Sequence, residues 1–221
     1  MKTRIVQSDG AVTLVGGGAL GAGDLAEALD LAPHLVAADG GAQAALDLGY
    51  APRAVIGDLD SLSDAARARL GPDAVFPIHE QDSTDFDKAL RSIAAPVVLG
   101  VGFLGGRLDH QLAAFNTLVT RADPPCILIG EEEIVLHVPD RITLELEAGD
   151  VVSLFPMAQV TGRSEGLEWP IDRLILAPDG RVGTSNRASG SVSLHMDGPG
   201  MLLIAPRRAL RAAMRAIAPN V

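Results

Sequence analysis

The sequence is poor in cysteine, in aromatic residues and in positive charge. Its single cysteine, Cys126, excludes an internal disulfide framework and a cysteine-rich zinc site. Aromatic residues make up 3% of the chain, so the core must be built from Ala, Val, Leu and Ile. Lys and Arg number 18 against 28 Asp and Glu, a formal net charge of −10. That balance argues against a general nucleic-acid binder, which needs a basic face for phosphate contacts. No apolar run reaches the roughly 18 to 20 residues of a membrane span. The N-terminus lacks the long apolar stretch and small-residue cleavage site of a secretory signal. The expectation is a cytoplasmic protein with neither nucleic-acid nor membrane partners. A length of 221 residues suits one large domain or two small ones.

What is present changes character along the chain. The first part alternates short apolar runs with Ala-rich helical stretches. Strands are predicted at Val12–Val15, Leu35–Ala38, Ala54–Ile56, Val75–Ile78, Pro96–Val101 and Cys126–Ile129. Helices are predicted at Leu25–Leu31, Ala42–Leu48, Asp64–Leu70, Thr84–Ile93 and Asp109–Arg121, with Ser83 or Thr84 as a cap. This alternation implies a mostly parallel sheet with flanking helices, an α/β class. After Gly130, six short strand-like runs follow: Ile134–Val138, Ile142–Leu146, Val151–Phe155, Leu174–Ala177, Ser191–His195 and Met201–Ile204. Turn signals such as Pro178-Asp179-Gly180 separate them and suggest a β-sandwich or barrel. Two domains are expected, over residues 1–130 and 131–221. Arg207–Ile217 reads as a basic, solvated C-terminal helix.

Four motifs follow predicted strands. Gly16-x-Gly18-x-x-Gly21, with Asp39 at the end of the next strand, fits a dinucleotide site. It equally fits a tight turn, or a loop whose N–H groups face an anion. Gly57-Asp58-Leu59-Asp60-Ser61 sets two carboxylates at i and i+2, which project to one side of an extended chain. Close carboxylates repel unless a cation lies between them, and magnesium favours oxygen ligands shared with phosphates. The alternative is a polar turn that caps the next helix. Gln81-Asp82-Ser83-Thr84-Asp85-Phe86-Asp87-Lys88 either caps a helix or supplies a metal ligand, Asp85, and a phosphate contact, Lys88. In Gly102–His110, Arg107 suits a phosphate clamp and Asp109 either orients it or caps the helix. His110 there either titrates or serves the structure. Independent loops rarely concentrate Asp and Gly at every strand end along one sheet edge. Residues alone therefore reach magnesium-dependent chemistry on a phosphate-bearing ligand.

In this order the motifs resemble the thiamine pyrophosphokinase (thiamine diphosphokinase) family. The matching pieces are Asp39-Gly40-Gly41, Gly57–Ser61, Asp82–Phe86 with Lys88, and Gly105–His110. Gly149–Pro156, Gly166-Leu167-Glu168-Trp169 and Thr184-Ser185-Asn186 continue the likeness in the second half. The resemblance implies an α/β domain joined to a β-sandwich, usually in a homodimer. It implies transfer of the pyrophosphoryl group of ATP to thiamine, giving thiamine diphosphate and AMP. By the same resemblance Asp58, Asp60 and Asp85 hold magnesium, with Asp39 or Asp85 as proton acceptor. Gln81, Thr84, Lys88, Arg107 and Asp109 belong to the ATP site. Trp169, Ser185 and Asn186 belong to a thiamine pocket across the dimer. Thiazolium is a cation that suits an indole face. Otherwise Trp169 is ordinary core packing and Ser185-Asn186 a hairpin turn. Arg187 and the Arg-rich end beyond Ile204 depart from the family pattern. Two other functions remain open here, an NAD-dependent oxidoreductase and a non-catalytic thiamine or nucleotide sensor.

Overall fold

A computed structural model describes residues 4–220. The first half contains β1 (Val6–Gln7), β2 (Val12–Val15), α1 (Asp24–Leu31), β3 (His34–Ala38), α2 (Gly41–Asp47), β4 (Ala54–Gly57) and α3 (Asp64–Leu70). It continues with β5 (Val75–Pro77), α4 (Asp85–Leu90), β6 (Ile93–Ala94), β7 (Val98–Val101), α5 (Leu108–Thr120) and β8 (Cys126–Ile129). The second half contains β9 (Glu133–His137), β10 (Arg141–Leu144), β11 (Val151–Pro156), β12 (Gly162–Leu167), β13 (Gly183–Met196) and β14 (Met201–Pro206). Short 3-10 turns stand at Pro72–Ala74 and Arg207–Ala209, and the second leads into α6 (Leu210–Ile217).

Strands β3, β4 and β5 pair in parallel, as do β2, β7 and β8, and β3 packs beside β2. Side chains on these strands alternate between two cores, the expected period of two. Leu99, Val101, Ile127 and Ile129 meet Leu25 and Ala28 of α1 and Ala45 of α2 on one face. Val98, Cys126 and Leu128 meet Phe86 and Leu90 of α4 and Leu118 of α5 on the other. Both faces are covered, which is why these strands are almost wholly apolar.

At Gly130 the direction of pairing changes without interrupting the sheet. Strand β9 pairs antiparallel with β8, and β14, β11 and β13 extend the same sheet. Strand β13 is 14 residues long and serves two layers. Its first part pairs with β11, while Val192–His195 pairs with β10 and Ala188–Met196 with β12. Leu144, Leu154, Leu194 and Leu203 fill the space between the two layers. The result is a sandwich at the C-terminal end.

Three sequence expectations change. The helix predicted over Thr84–Ile93 ends at Leu90, because Ile93 pairs with Val6 in a short parallel ladder. Leu174–Ala177 forms no strand and contributes one bridge, Leu176 to Val160. The C-terminal helix is not merely solvated, because Leu210, Ala213 and Met214 are buried in the main core.

Candidate active site

The carboxyl ends of β2, β3 and β7, with Ser61 from the loop after β4, open into one cleft of about 680 Å3. Its floor is glycine. The turn after β2 lies against the turn after β7, with Gly18 N–H donating to the Gly102 carbonyl at 2.9 Å. A Cβ on Gly18 would stand 2.6 Å from that carbonyl oxygen, so only glycine lets the backbones meet. Phe86 and Phe103 form one wall, with ring centroids 4.4 Å apart. Thr84, Asp85, Arg107 and His110 complete the rim.

Acidic side chains gather at the end of β4. One oxygen each from Asp39, Asp58 and Asp60 lie within 4.8 Å of one another. Asp85 stands beside them around Gly57. A Cβ on Gly57 would come 2.8 Å from the Asp39 Cβ and 3.1 Å from Asp85 Oδ1. Glycine therefore makes the space in which the carboxylates converge. Two non-glycine residues here take the left-handed region, Asp39 at φ 39° and Leu59 at φ 67°. Such backbone costs on the order of 1–3 kcal/mol and gathers at functional sites.

Lys88 is the cation of the cluster. It is 2% exposed, and its Nζ donates to Asp58 Oδ2 at 3.1 Å and to Asp85 Oδ1 at 3.0 Å. Burial raises the Asp58 pKa, but the Lys88 hydrogen bond and charge and the Asp60 N–H outweigh it, leaving the carboxyl below its usual value. Asp39 has no such partner. It is 5% exposed, and its Oδ1 is buried without a hydrogen bond. Burial raises its pKa, a Ser61 hydrogen bond opposes the rise, and the charges of Asp85, Asp58 and Asp60 add to it. A buried unsatisfied carboxylate oxygen beside two more carboxylates is the chemistry of a hard-cation site.

The other expected residues fall in distinct places. Thr84 caps α4, accepting from the Asp87 N–H at 3.3 Å, and lines the cleft. Arg107 lines the cleft and makes a bidentate pair with Asp109 at 3.1 and 2.6 Å. Gln81 is exposed and outside the cleft lining. Trp169, Ser185 and Asn186 meet at the end of the sandwich, and none of them lines the cleft. Asn186 is buried. Its amide donates to the Trp169 carbonyl at 2.7 Å and accepts from the Trp169 N–H at 3.1 Å. This leaves the indole 54% exposed, which is not core packing. Ser185, at φ 61°, lies within β13 where the ladder to β11 shifts register, so Ser185-Asn186 is a kinked strand and not a hairpin turn. Phe86, Phe103 and Ser61 also line the cleft, although the motifs alone assign them no role there. Phe86 and Phe103 are two of only five phenylalanines, and both fall inside motifs that follow the strands of the first half, which is the available signal.

Residues 25–128 match the family model "Thiamin pyrophosphokinase, catalytic domain", and residues 136–199 match "Thiamin pyrophosphokinase, vitamin B1 binding domain". Together the two take in well over half of the chain. The chain belongs to the thiamine pyrophosphokinase family. Thiamine pyrophosphokinase 1 of Oryza sativa subsp. japonica is 26% identical over 191 residues, covering 71% of this chain and 72% of the relative. Thiamine pyrophosphokinase 3 of the same plant is 28% identical over 156 residues, covering 62% of this chain and 58% of the relative. The thiamin pyrophosphokinase structure from Geobacillus thermodenitrificans aligns with a TM-score of 0.70 and 25% identity, covering 89% of this chain and 96% of that one. The thiamin pyrophosphokinase from Candida albicans shares the fold, with a TM-score of 0.77 at 15% identity over 91% and 92% of the two chains. Family membership makes the chain a transferase whose reaction is ATP-dependent pyrophosphoryl transfer to thiamine. Neither the nicotinamide oxidoreductase nor the sensor gains support from any of these likenesses. Among the described residues, no helix is long and apolar enough to cross a membrane.

Proposed function

We propose that the glycine-floored cleft binds the triphosphate of ATP and that the Asp39, Asp58 and Asp60 cluster holds magnesium on it. The observation that carries this reading is the orphaned, buried Oδ1 of Asp39 among converging carboxylates. Magnesium would neutralise the charge that develops on the transferred phosphates. The protein's own groups do the rest. In the Gly16–Ala19 turn, which lines the cleft, the N–H groups of Gly16 and Gly18 are bonded to the Val101 and Gly102 carbonyls, and those of Gly17 and Ala19 are left as donors to phosphate oxygens. Arg107 on the rim adds a cationic, fork-shaped donor. Lys88, buried under the acids, fixes Asp58 and Asp85 in position, and Asp85 faces the cleft beside the metal cluster. Asp39 or Asp85 takes the proton of the thiamine hydroxyl. Phosphoryl chemistry of this kind needs alignment and charge neutralisation more than covalent help.

The thiamine end is read from Trp169, Ser185 and Asn186, all within the part of the chain that matches the vitamin B1 binding domain. Asn186 holds the Trp169 backbone, and the exposed indole offers a face to a thiazolium ring. Because no residue of this group lines the cleft of its own chain, a homodimer that sets it against a partner's cleft completes the active site. The test is a product assay with purified protein, ATP, magnesium and thiamine, following AMP and thiamine diphosphate together. Equal formation of both, lost on chelation, is expected. ADP with thiamine monophosphate would replace this reading with that of an ordinary kinase. Thiamine binding without product would replace it with a sensor.

A further inference from the structure

Beyond the cleft, one guanidinium joins segments far apart in sequence. Arg207 stands in the 3-10 turn that follows β14. Its Nη2 lies 2.8 Å from Asp24 Oδ1 and 2.6 Å from Glu27 Oε2, and its Nη1 donates to the Gly130 carbonyl at 2.8 Å. Asp24 is buried, and its other oxygen accepts the Gly21 N–H at 2.6 Å. Gly21 closes the same turn whose Gly16–Ala19 segment lines the cleft. Gly130 in turn approaches the second cleft loop, since a Cβ there would stand 3.2 Å from the Leu104 side chain. The Arg207 head group is thus bonded to one support of each glycine turn. Helix α1 has no side-chain cap of its own, because Gly23 occupies that position, so Asp24 is what fastens the turn to the helix.

We propose that Arg207 is a positioning residue for the nucleotide: through Asp24 and Gly130 it sets the spacing of the two glycine turns that receive the phosphates. This rests on the reading of the cleft as the ATP site. The pairing is charge-assisted and lies in a partly buried place, where such bonds are stronger than exposed ones. A misplaced turn loses alignment of its N–H donors without removing any of them. The effect is therefore directed at ATP, not at thiamine.

The test compares Arg207→Gln with Arg208→Gln. Arg208 stands next in the chain and pairs with Asp150 and Glu147 of the sandwich, away from the cleft. Both variants lose a C-terminal ion pair. Arg207→Gln is expected to raise the ATP KM about tenfold, with the thiamine KM little changed. Arg208→Gln is expected to leave the ATP KM unchanged. Arg207→Lys, which keeps the charge, should recover part of the loss. Calorimetric titration with magnesium and a non-hydrolysable ATP analogue reads the same ranking without any thiamine turnover. That readout separates failure of this proposal from failure of the assigned reaction. Equal weakening in the two glutamine variants, an equal rise in both KM values, or unchanged analogue affinity in Arg207→Gln would overturn it.

Discussion

Two acidic centres flank helix α4, and they are opposites. On one side Asp87 is fully partnered. Arg121 donates to it at 2.6 and 3.3 Å and Arg91 stands 3.4 Å away. On the other side Asp85 shares Lys88 with Asp58, while Asp39 nearby keeps an oxygen with no partner at all. Similar side chains on the two sides of one helix have been settled in one place and left unsettled in the other. Asp87 ties α4 to the end of α5 and contributes to stability. The Asp39 group forgoes stability and retains unspent capacity to hold a cation. Burial of a carboxylate is therefore no guide to its role until its partners are counted.

Substitutions on the two sides should part in the same way. Asp58→Asn is expected to lower kcat by roughly 100- to 1,000-fold, the size of effect seen when a group that stabilises transferring charge is lost. Circular dichroism and thermal melting should show the fold intact, and near-normal turnover would remove Asp58 from the metal set. Asp39→Asn should also suppress turnover, yet melt higher than the parent protein without metal at neutral pH, by about 2–4 °C. The sign follows from its raised pKa. Between the ordinary value of 3.8 and the raised one, the folded chain keeps a proton that the unfolded chain releases, so stability from this group falls as pH rises through that window. Asparagine abolishes that fall. A lower melting temperature for Asp39→Asn would contradict an uncompensated acid at this place.

Asp87→Ala should do the reverse. A loss of about 2 kcal/mol in stability is expected, below the 3–5 kcal/mol of a fully buried pair because Arg121 reaches water. Urea unfolding measures it. If the kcat of the still-folded fraction fell as far as in Asp58→Asn, the contrast between the two sides of α4 would fail. The smallest effect expected is that of Trp169→Ala, a several-fold rise in the thiamine KM with the ATP KM preserved. Equal changes in both would argue against an indole stacked on thiamine.

The same contrast explains what the sequence made legible. Asp64–Leu70 and Cys126–Ile129 form over the predicted residues, because local periodicity and caps such as Ser63 and Gly71 decide them. The acidic motifs were visible because their spacing is local and each follows an apolar strand. The convergence of Asp39 with Asp58 and Asp60 was less so, since it depends on two adjacent parallel strands ending level. Strand β12 and the first part of β13 were missed altogether. Gly162–Leu167 and Gly183–Gly190 are rich in Gly, Ser and Arg, and they are strands only because each has the other elements of the sandwich to pair with. Leu174–Ala177, by contrast, is apolar enough but has no ladder to join beyond one bridge. By sequence Arg207 belongs to a solvated helix, and only the fold discloses that Asp24 and Gly130 lie within its reach.

The unbroken passage of the sheet from β8 to β9 has a mechanical consequence. Three residue pairs join those strands, from Ile127 with Leu136 to Ile129 with Ile134. The two halves of the chain cannot swing against each other like jaws without tearing that ladder. The cleft and the sandwich thus ride on one continuous sheet.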